Sequence, residues 1–483
     1  MRRMRAIAFL LVTGWAQAAT VGVVSFPITS AKAESRACFE RGVAMLHSFW
    51  FEEAREQFEN CAQADPAARM NWWGVAMTHN HSLWNRVWVD EGRAALAKVG
   101  ELKDLSEREQ GYVRAVQTLF GEGTKKEREK AYAARMKELH AKYPDDLEAA
   151  AFYSLSLIAT GRSIEAGAIA LDVYGKQSEH PGAAHYIIHA FDDPVHAILA
   201  LPAAKRYAQI APEAHHAKHM PSHIFLQLGM WEQTVKSNEE SWAASVAWQT
   251  RKKLSLALRD YHSQYWLAYG YLQQGKEKEA WQVWEDKKRD LVESGGDGNV
   301  YRYWADLGAL LVTATKRWDR AAEVFQDPVV TRRAGGEGHA HTPGTAARAL
   351  EGFARGWAAV ERGEDLAPWL DLLEQARLMA VQKKEEVPAA RYEAQQLMLR
   401  ALAEWKAGRM EAAIALLDKA QVLEEKEAMV SGPPDIIQPS HELAGEMLLE
   451  MGRKAEAKAR FEKALARQPK RRASLAGLAQ AGS

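Results

Sequence analysis

Small and aromatic positions, more than any plain apolar stripe, set the rhythm of this chain. Cys38, Gly42, Ala54, Phe58, Cys61 and Pro66 fall at offsets that return 403 residues later as His441, Gly445, Ala457, Phe461, Ala464 and Pro469. The pattern predicts a first helix with a small residue, then a second with small, aromatic and small positions, closed by proline. Small residues let two helices approach, the aromatic fills the space between them, and proline cannot continue the hydrogen-bond ladder. Gly161-Arg162, Gly229-Met230-Trp231, Gly275-Lys276 and Gly408-Arg409 mark further turns. Ala280 with Trp284, Ala321, and Ala413 with Leu417 and Ala420 supply further second-helix positions. The register leaves 85–145 and 325–395 unassigned, and the glycine-bearing stretches 294–299 and 334–344 read as loops.

This pattern resembles the tetratricopeptide repeat, a helix-turn-helix of about 34 residues. The resemblance covers most of 35–480. It implies an all-α solenoid of antiparallel helix pairs, a right-handed superhelix with a concave groove. The expected divisions are a signal peptide at 1–33, N-terminal repeats at 34–145, a central histidine-rich set at 146–325, and C-terminal repeats at 326–483.

The first residues break the pattern. Arg2, Arg3 and Arg5 precede an apolar stretch from Ala6, followed by Ala16-Gln17-Ala18 and Ala31-Lys32-Ala33. Basic, apolar, then small-x-small is the layout of a secretory signal peptide, and a retained anchor has the same look. Ala33 is the favoured cleavage point because polar sequence follows it. The expectation is an exported protein, periplasmic or secreted, with no membrane association after cleavage. No later window approaches the ~20 apolar residues of a spanning helix.

Charge removes one class of partner. Lys+Arg and Asp+Glu both number 63 and the pI is near 7.3, so no basic field exists to attract nucleic acid. Lys470-Arg471-Arg472 reads as a solvated helix end. Cys38 and Cys61 lie about equally far from the turn near Trp50, so antiparallel helices bring them level. Either they form a disulfide in an oxidising compartment or they are two small core residues. Two cysteines do not make a thiolate metal site.

The chemistry lies in the 16 histidines. His185 and His189 are four apart, one turn on a helix, a spacing that presents two imidazoles to one metal ion. Aligning the units on Pro212, Gly229 and Gly275 puts His219 and His223 at the same two repeat positions. By the tetratricopeptide resemblance these positions line the groove, as does that of His262. His47 and His79 share a third groove-type position, late in the first helices of units one and two.

Asp192 stays a ligand candidate, whereas Asp193-Pro194 is a strong helix-start signal. His140, His180 and His196 read as surface or loop residues, and His339-Ala340-His341 as a weak loop signal. Pro221 leaves one ambiguity, because proline disfavours helix in the residue before it. A helix starting near Met220 would separate His219 from His223; a kinked helix running through would align His215, His219 and His223, with His216 dependent on where it starts.

Trp73-Gly74-Val75-Ala76-Met77, the run from His185 to Pro194, and His219-Met220-Pro221-Ser222-His223-Ile224-Phe225 resemble blocks of an exported bacterial tetratricopeptide-repeat family without an assigned activity. The resemblance implies a specialised groove and names no reaction. An imidazole-rich site suits zinc, copper, iron or nickel. Because neutral imidazole is the binding form, affinity is expected to fall as pH drops through ~6.5. Three functions follow: a groove that binds a transition metal or metal-bearing small molecule, a scaffold for peptide or protein partners, or a metal-dependent enzyme using the same histidines. Glu148, Glu442 and Glu446 occupy groove-type positions as candidate acid/base groups.

Overall fold

Helix pairs build most of the described residues. In the computed structural model the described residues are 21–84, 86–326, 345–426 and 431–482. The protein is an all-α solenoid of tetratricopeptide type, with one two-residue ribbon pairing Asn80–His81 with Arg86–Val87 among the described residues.

The small-and-aromatic rhythm has a direct steric basis. A Cβ added to Gly42 in the first helix, or to Gly74 in the third, would lie 2.5 Å from the Phe58 ring. Phe461 stands in the same relation to Gly445 and Gly477 near the C-terminus. The turns also follow from local geometry. Gly229 has φ 63° and closes its helix with Met230 N–H donating to the Phe225 carbonyl at 2.7 Å. The first unit makes the same turn without glycine: Phe49 takes φ 53°, and Trp50 N–H donates to the Met45 carbonyl at 3.1 Å. Cys38 and Cys61 are joined as a disulfide across this pair, Cα to Cα 5.9 Å.

The stretch 85–145, unassigned by the register, contains the helices Val89–Val99, Glu107–Leu119 and Lys125–Lys142. They pack into one buried cluster that runs from Val21 to Phe225 and takes in Trp248. A second cluster runs from Leu226 to Val324 and takes in Ala354, Ala358 and Ile437, and a third spans Ala349 to Ala481. The second of the expected loops, 334–344, lies outside the described residues, as do residues 1–20 of the expected signal segment.

Residues 21–31, within the expected signal segment, pack against the helices. Val21, Val24, Phe26 and Ile28 are buried, and Phe26 packs against Phe39, Trp73 and Tyr112 with centroids 4.5–5.3 Å away. Backbone N–H groups of this strap donate to carboxylates: Ser25 to Glu148, Phe26 to Glu40, and Thr29 to Glu109. The boundary expected at Ala33, where the first helix starts, therefore cuts through folded structure. An extended apolar segment satisfied by side chains from distant helices and an apolar leader have the same look in sequence.

The array also curls back on itself. The helix Trp231–Lys252 meets the last unit at one end, where Trp231 Nε1 donates to the Lys470 carbonyl at 3.1 Å. At its other end Trp248 Nε1 donates to Glu53 of the first pair at 2.8 Å. Arg471 is buried, donates to Glu442 at 2.7 Å and to the Tyr269 hydroxyl at 3.2 Å, and is thus no solvated helix end.

Candidate metal centre

His180 starts the first helix of the site. Its Nδ1 accepts from Ala183 N–H at 3.1 Å, and Pro181 follows at the first helical position. It is a fully buried cap, not the surface residue the sequence suggests. In Pro181–Ala190, Ala183, Ala184, Tyr186, Ile187 and Ile188 are buried, which turns His185 and His189 together toward the groove. His185 is fully buried and its Nδ1 donates to the His47 carbonyl at 2.7 Å, leaving Nε2 as a lone pair. His189 is half-buried, and its Nε2 is enclosed without a hydrogen-bond partner.

The next stripe depends on Pro221. The segments His215–His219 and Pro221–Gln227 join through Met220 in helical geometry, φ −53° and ψ −37°, so the helix runs through. Proline has no N–H to give, and the ladder tightens past it, His223 N–H donating to the Met220 carbonyl at 3.1 Å. The stripe facing the groove is His216, His219 and His223, spaced i, i+3, i+7; the expected member His215 points instead toward Asp260, 3.6 Å away. The spacing of 216, 219 and 223 was the signal for His216, usable only once the helix is known to continue.

These elements assemble two triads. His185, His189 and His216 form one, and His219, His223 and His262 the other; within each, one ligand atom per residue lies within 4.8 Å of the others. His185 and His216 approach Nε2 to Nε2 at 3.2 Å, and His219 and His223 at 3.1 Å. The triads are neighbours, with His189 and His223 centroids 5.9 Å apart and His216 and His219 6.1 Å apart. Each has an aromatic wall: Phe49 lies 4.4 Å from His185 and 5.6 Å from His216, and Trp266 lies 4.2 Å from His223 and 5.0 Å from His219. His262 sits exposed in the first turn of Tyr261–Gln273, a helix capped by Asp260.

Groups behind the rings hold them. His219 Nδ1 donates to Asn238 Oδ1 at 2.7 Å, and Asn238 Nδ2 donates in turn to the Thr234 carbonyl, which fixes the amide's orientation. His223 Nδ1 donates to Asp192 Oδ2 at 2.6 Å. This is the outer-shell arrangement that orients metal-ligating histidine. Asp192 also accepts from Gln227 Nε2 and Ser431 Oγ, so it serves behind His223 and not as the ligand first read from sequence. Burial lowers the pKa of His185 to about 3, and desolvation with neighbouring imidazoles holds His189, His216 and His219 well below the ordinary value. These rings are in their ligating form at neutral pH, and proton competition starts well below the ~6.5 of free imidazole.

Two expected ligands lie elsewhere. His47 is fully buried, with Nε2 donating to Glu148 at 2.7 Å and Nδ1 2.8 Å from the Tyr186 hydroxyl. Glu148 also meets His180 at 3.2 Å. This third group, His47, Glu148 and His180, is spaced closely enough to hold an ion, but each member is occupied by hydrogen bonds inside the core. His79 is near Arg55 and Glu91 at the end of its helix, joins no cluster, and is lowered to about 4 by burial. His47 is the last residue of Ala33–His47, as the register expects, whereas His79 lies just past the helix Met70–Met77. Asp193 accepts from Val195 and His196 N–H and so caps a turn, the helix itself starting at Ala197. His339 and His341 lie outside the described residues.

Three nitrogen donors per cluster, with no thiolate and no directly bound carboxylate, form a set that zinc, copper, iron or nickel favours and calcium or magnesium does not. A family profile for the tetratricopeptide repeat matches residues 439–471. A search of curated protein sequences finds no match. Among solved structures, yeast Tom70 is similar over 85% of this chain and 88% of its own, at 11% identity and a TM-score of 0.40. A chain of the APC/C hetero-tetramer Cut9-Hcn1 aligns over 94% of this chain and 77% of its own, at 13% identity and a TM-score of 0.38. A tetratricopeptide repeat protein from Parabacteroides merdae aligns over 63% of this chain and 95% of its own, at 12% identity and a TM-score of 0.31.

Proposed function

We propose that this protein binds transition-metal ions in the groove of its repeat scaffold, as an exported metal-handling protein. The observation that carries the reading is the convergence of His185, His189, His216, His219, His223 and His262 from three helices, with three of the Nδ1–H groups anchored outward. A packed core has no use for six clustered imidazoles, because each buried polar nitrogen must find a partner or cost stability. The basic-apolar-small start of the chain and the Cys38–Cys61 bridge support a location where disulfides persist.

Elemental analysis by plasma mass spectrometry tests it, on protein purified without a His-tag or chelator. Near-stoichiometric zinc, copper, iron or nickel is expected. Protein that carries no metal even after reconstitution and dialysis would remove this reading.

A scaffold for a peptide or protein partner is the second reading, and one observation favours it. Ile164 and Leu171 on one second helix, and Ile198 and Leu199 on the next, are exposed. Exposed apolar side chains, where they gather into a patch, mark partner surfaces. Loss of a co-purifying partner on Ile198→Asp, with metal content unchanged, would separate the two.

A further inference from the structure

We propose that the six histidines hold two metal ions side by side, one in each triad, as a dinuclear centre. The inference rests on the metal-binding reading above and adds the number of ions, their placement and the ligands of each.

Each triad shows its own unmet demand for a cation. In the second, the Nδ1 atoms of His219 and His223 both donate, to Asn238 and to Asp192. Both Nε2 atoms are then lone pairs, and they face each other at 3.1 Å. Two acceptors at that distance repel unless a positive charge lies between them. Two imidazole nitrogens on one tetrahedral ion, at about 2.0–2.1 Å each, sit about 3.3 Å apart, which is nearly the separation found. In the first triad, His185 presents an Nε2 lone pair by the same reasoning, since its Nδ1 donates to the His47 carbonyl. His189 Nε2 beside it is buried and has no partner. A buried ring nitrogen without a hydrogen bond is rare enough to need a reason, and a ligand is one.

One ion cannot serve both sets. Six imidazoles exceed the four positions of a tetrahedral ion, and the ligand atoms gather within 4.8 Å of one another in two groups of three. The supports are separate as well: the His47 carbonyl and the Phe49 wall belong to the first triad, and Asn238, Asp192 and Trp266 to the second. Three protein ligands on each ion leave a coordination position open for water or a further ligand.

The test counts ions. Full-length protein is stripped with chelator, loaded with zinc or with copper(II), dialysed, and analysed by plasma mass spectrometry. The expected result is two ions per chain in the parent protein, one in His189→Ala, one in His262→Ala and none in the double variant. His189 is only half-buried and His262 is exposed, so in the metal-free state both variants should keep the parent's circular dichroism and unfolding midpoint. Electron paramagnetic resonance of the copper(II) form supplies the spacing. A half-field line from coupled ions is expected in the parent, and its loss in either single variant. One ion per chain in the parent would overturn the pair while leaving the metal-binding reading intact. Two ions without a half-field line would overturn their adjacency. No ion at all would remove the metal reading itself.

Discussion

Phe49 stands with its ring edge-on to His185, centroids 4.4 Å apart, on a backbone of φ 53° where Gly161 and Gly229 serve other units. A bulky residue in the left-handed region is strained by about 1–3 kcal/mol and persists where its surroundings hold it. Here the ring fills the wall of the first triad. Replacement by glycine removes the strain and loses a buried aromatic worth about 3–5 kcal/mol. Phe49→Gly should therefore destabilise the protein by about 2 kcal/mol and weaken metal retention by the first triad alone. Urea unfolding paired with metal analysis reads both; a more stable variant would show that the ring contributes nothing.

Asp192 holds His223 from behind. Asp192→Asn keeps the side chain's shape and an acceptor but removes the charge that orients and polarises the imidazole. Outer-shell partners of this kind are worth roughly 10–100-fold in metal affinity, and a loss in that range is expected in competition titrations with a chelator. Complete loss of one ion would instead mean that Asp192 is a direct ligand.

Lys287 offers a pH prediction independent of the histidines. It is fully buried, between the rings of Tyr261 and Tyr303, and burial lowers its pKa to about 7. The unfolded chain therefore binds more protons than the folded one between pH 7 and about 10.4, so stability should rise with pH across that window and carry the full penalty below it. Lys287→Met should stabilise the protein by about 1–4 kcal/mol at pH 7 and flatten the rise. Denaturant midpoints at pH 7 and 9.5 measure it. An unchanged slope would place the effect elsewhere.

The strap of residues 21–31 predicts where an exported chain would be cut. Cleavage after Ala18 spares Phe26, whereas cleavage after Ala33 removes it along with Val21, Val24 and Ile28. Intact-mass measurement of protein recovered from the periplasm should find residue 19 first, and Phe26→Ala should cost about 3–5 kcal/mol. A mature chain starting at Glu34 with unchanged stability would contradict the strap.

Reducing the Cys38–Cys61 bridge opens a loop with a sequence separation of 23. The expected loss is about 3 kcal/mol, concentrated in the first unit, where protease sensitivity should appear first.

What could be read from sequence was what local geometry dictates. Gly229 at a left-handed turn, Phe58 between two glycines, and His185 with His189 one turn apart each need only their near neighbours. What could not be read depended on distant contacts. His216 enters the site because the helix survives Pro221, and the Asn238 amide behind His219 left no mark in the pattern. Phe26 resembled a leader residue because its partners, from Phe39 to Tyr112, come from three different helices. His47 kept its predicted place on its helix, yet the curl of the array aimed it at Glu148 in the core.

That curl has a consequence for how the molecule comes apart. A straight repeat array can fray from either end, each unit lost at the expense of one neighbour. Here Trp231 grips the Lys470 carbonyl, and Arg472 N–H donates to Gln273 at 2.9 Å, so the stretch from 231 to 472 is clasped at its own ends. The last unit cannot peel away without releasing the middle, where Ser431 also reaches Asp192. Melting should accordingly be a concerted event in which the C-terminal hairpin and the histidine helices let go together.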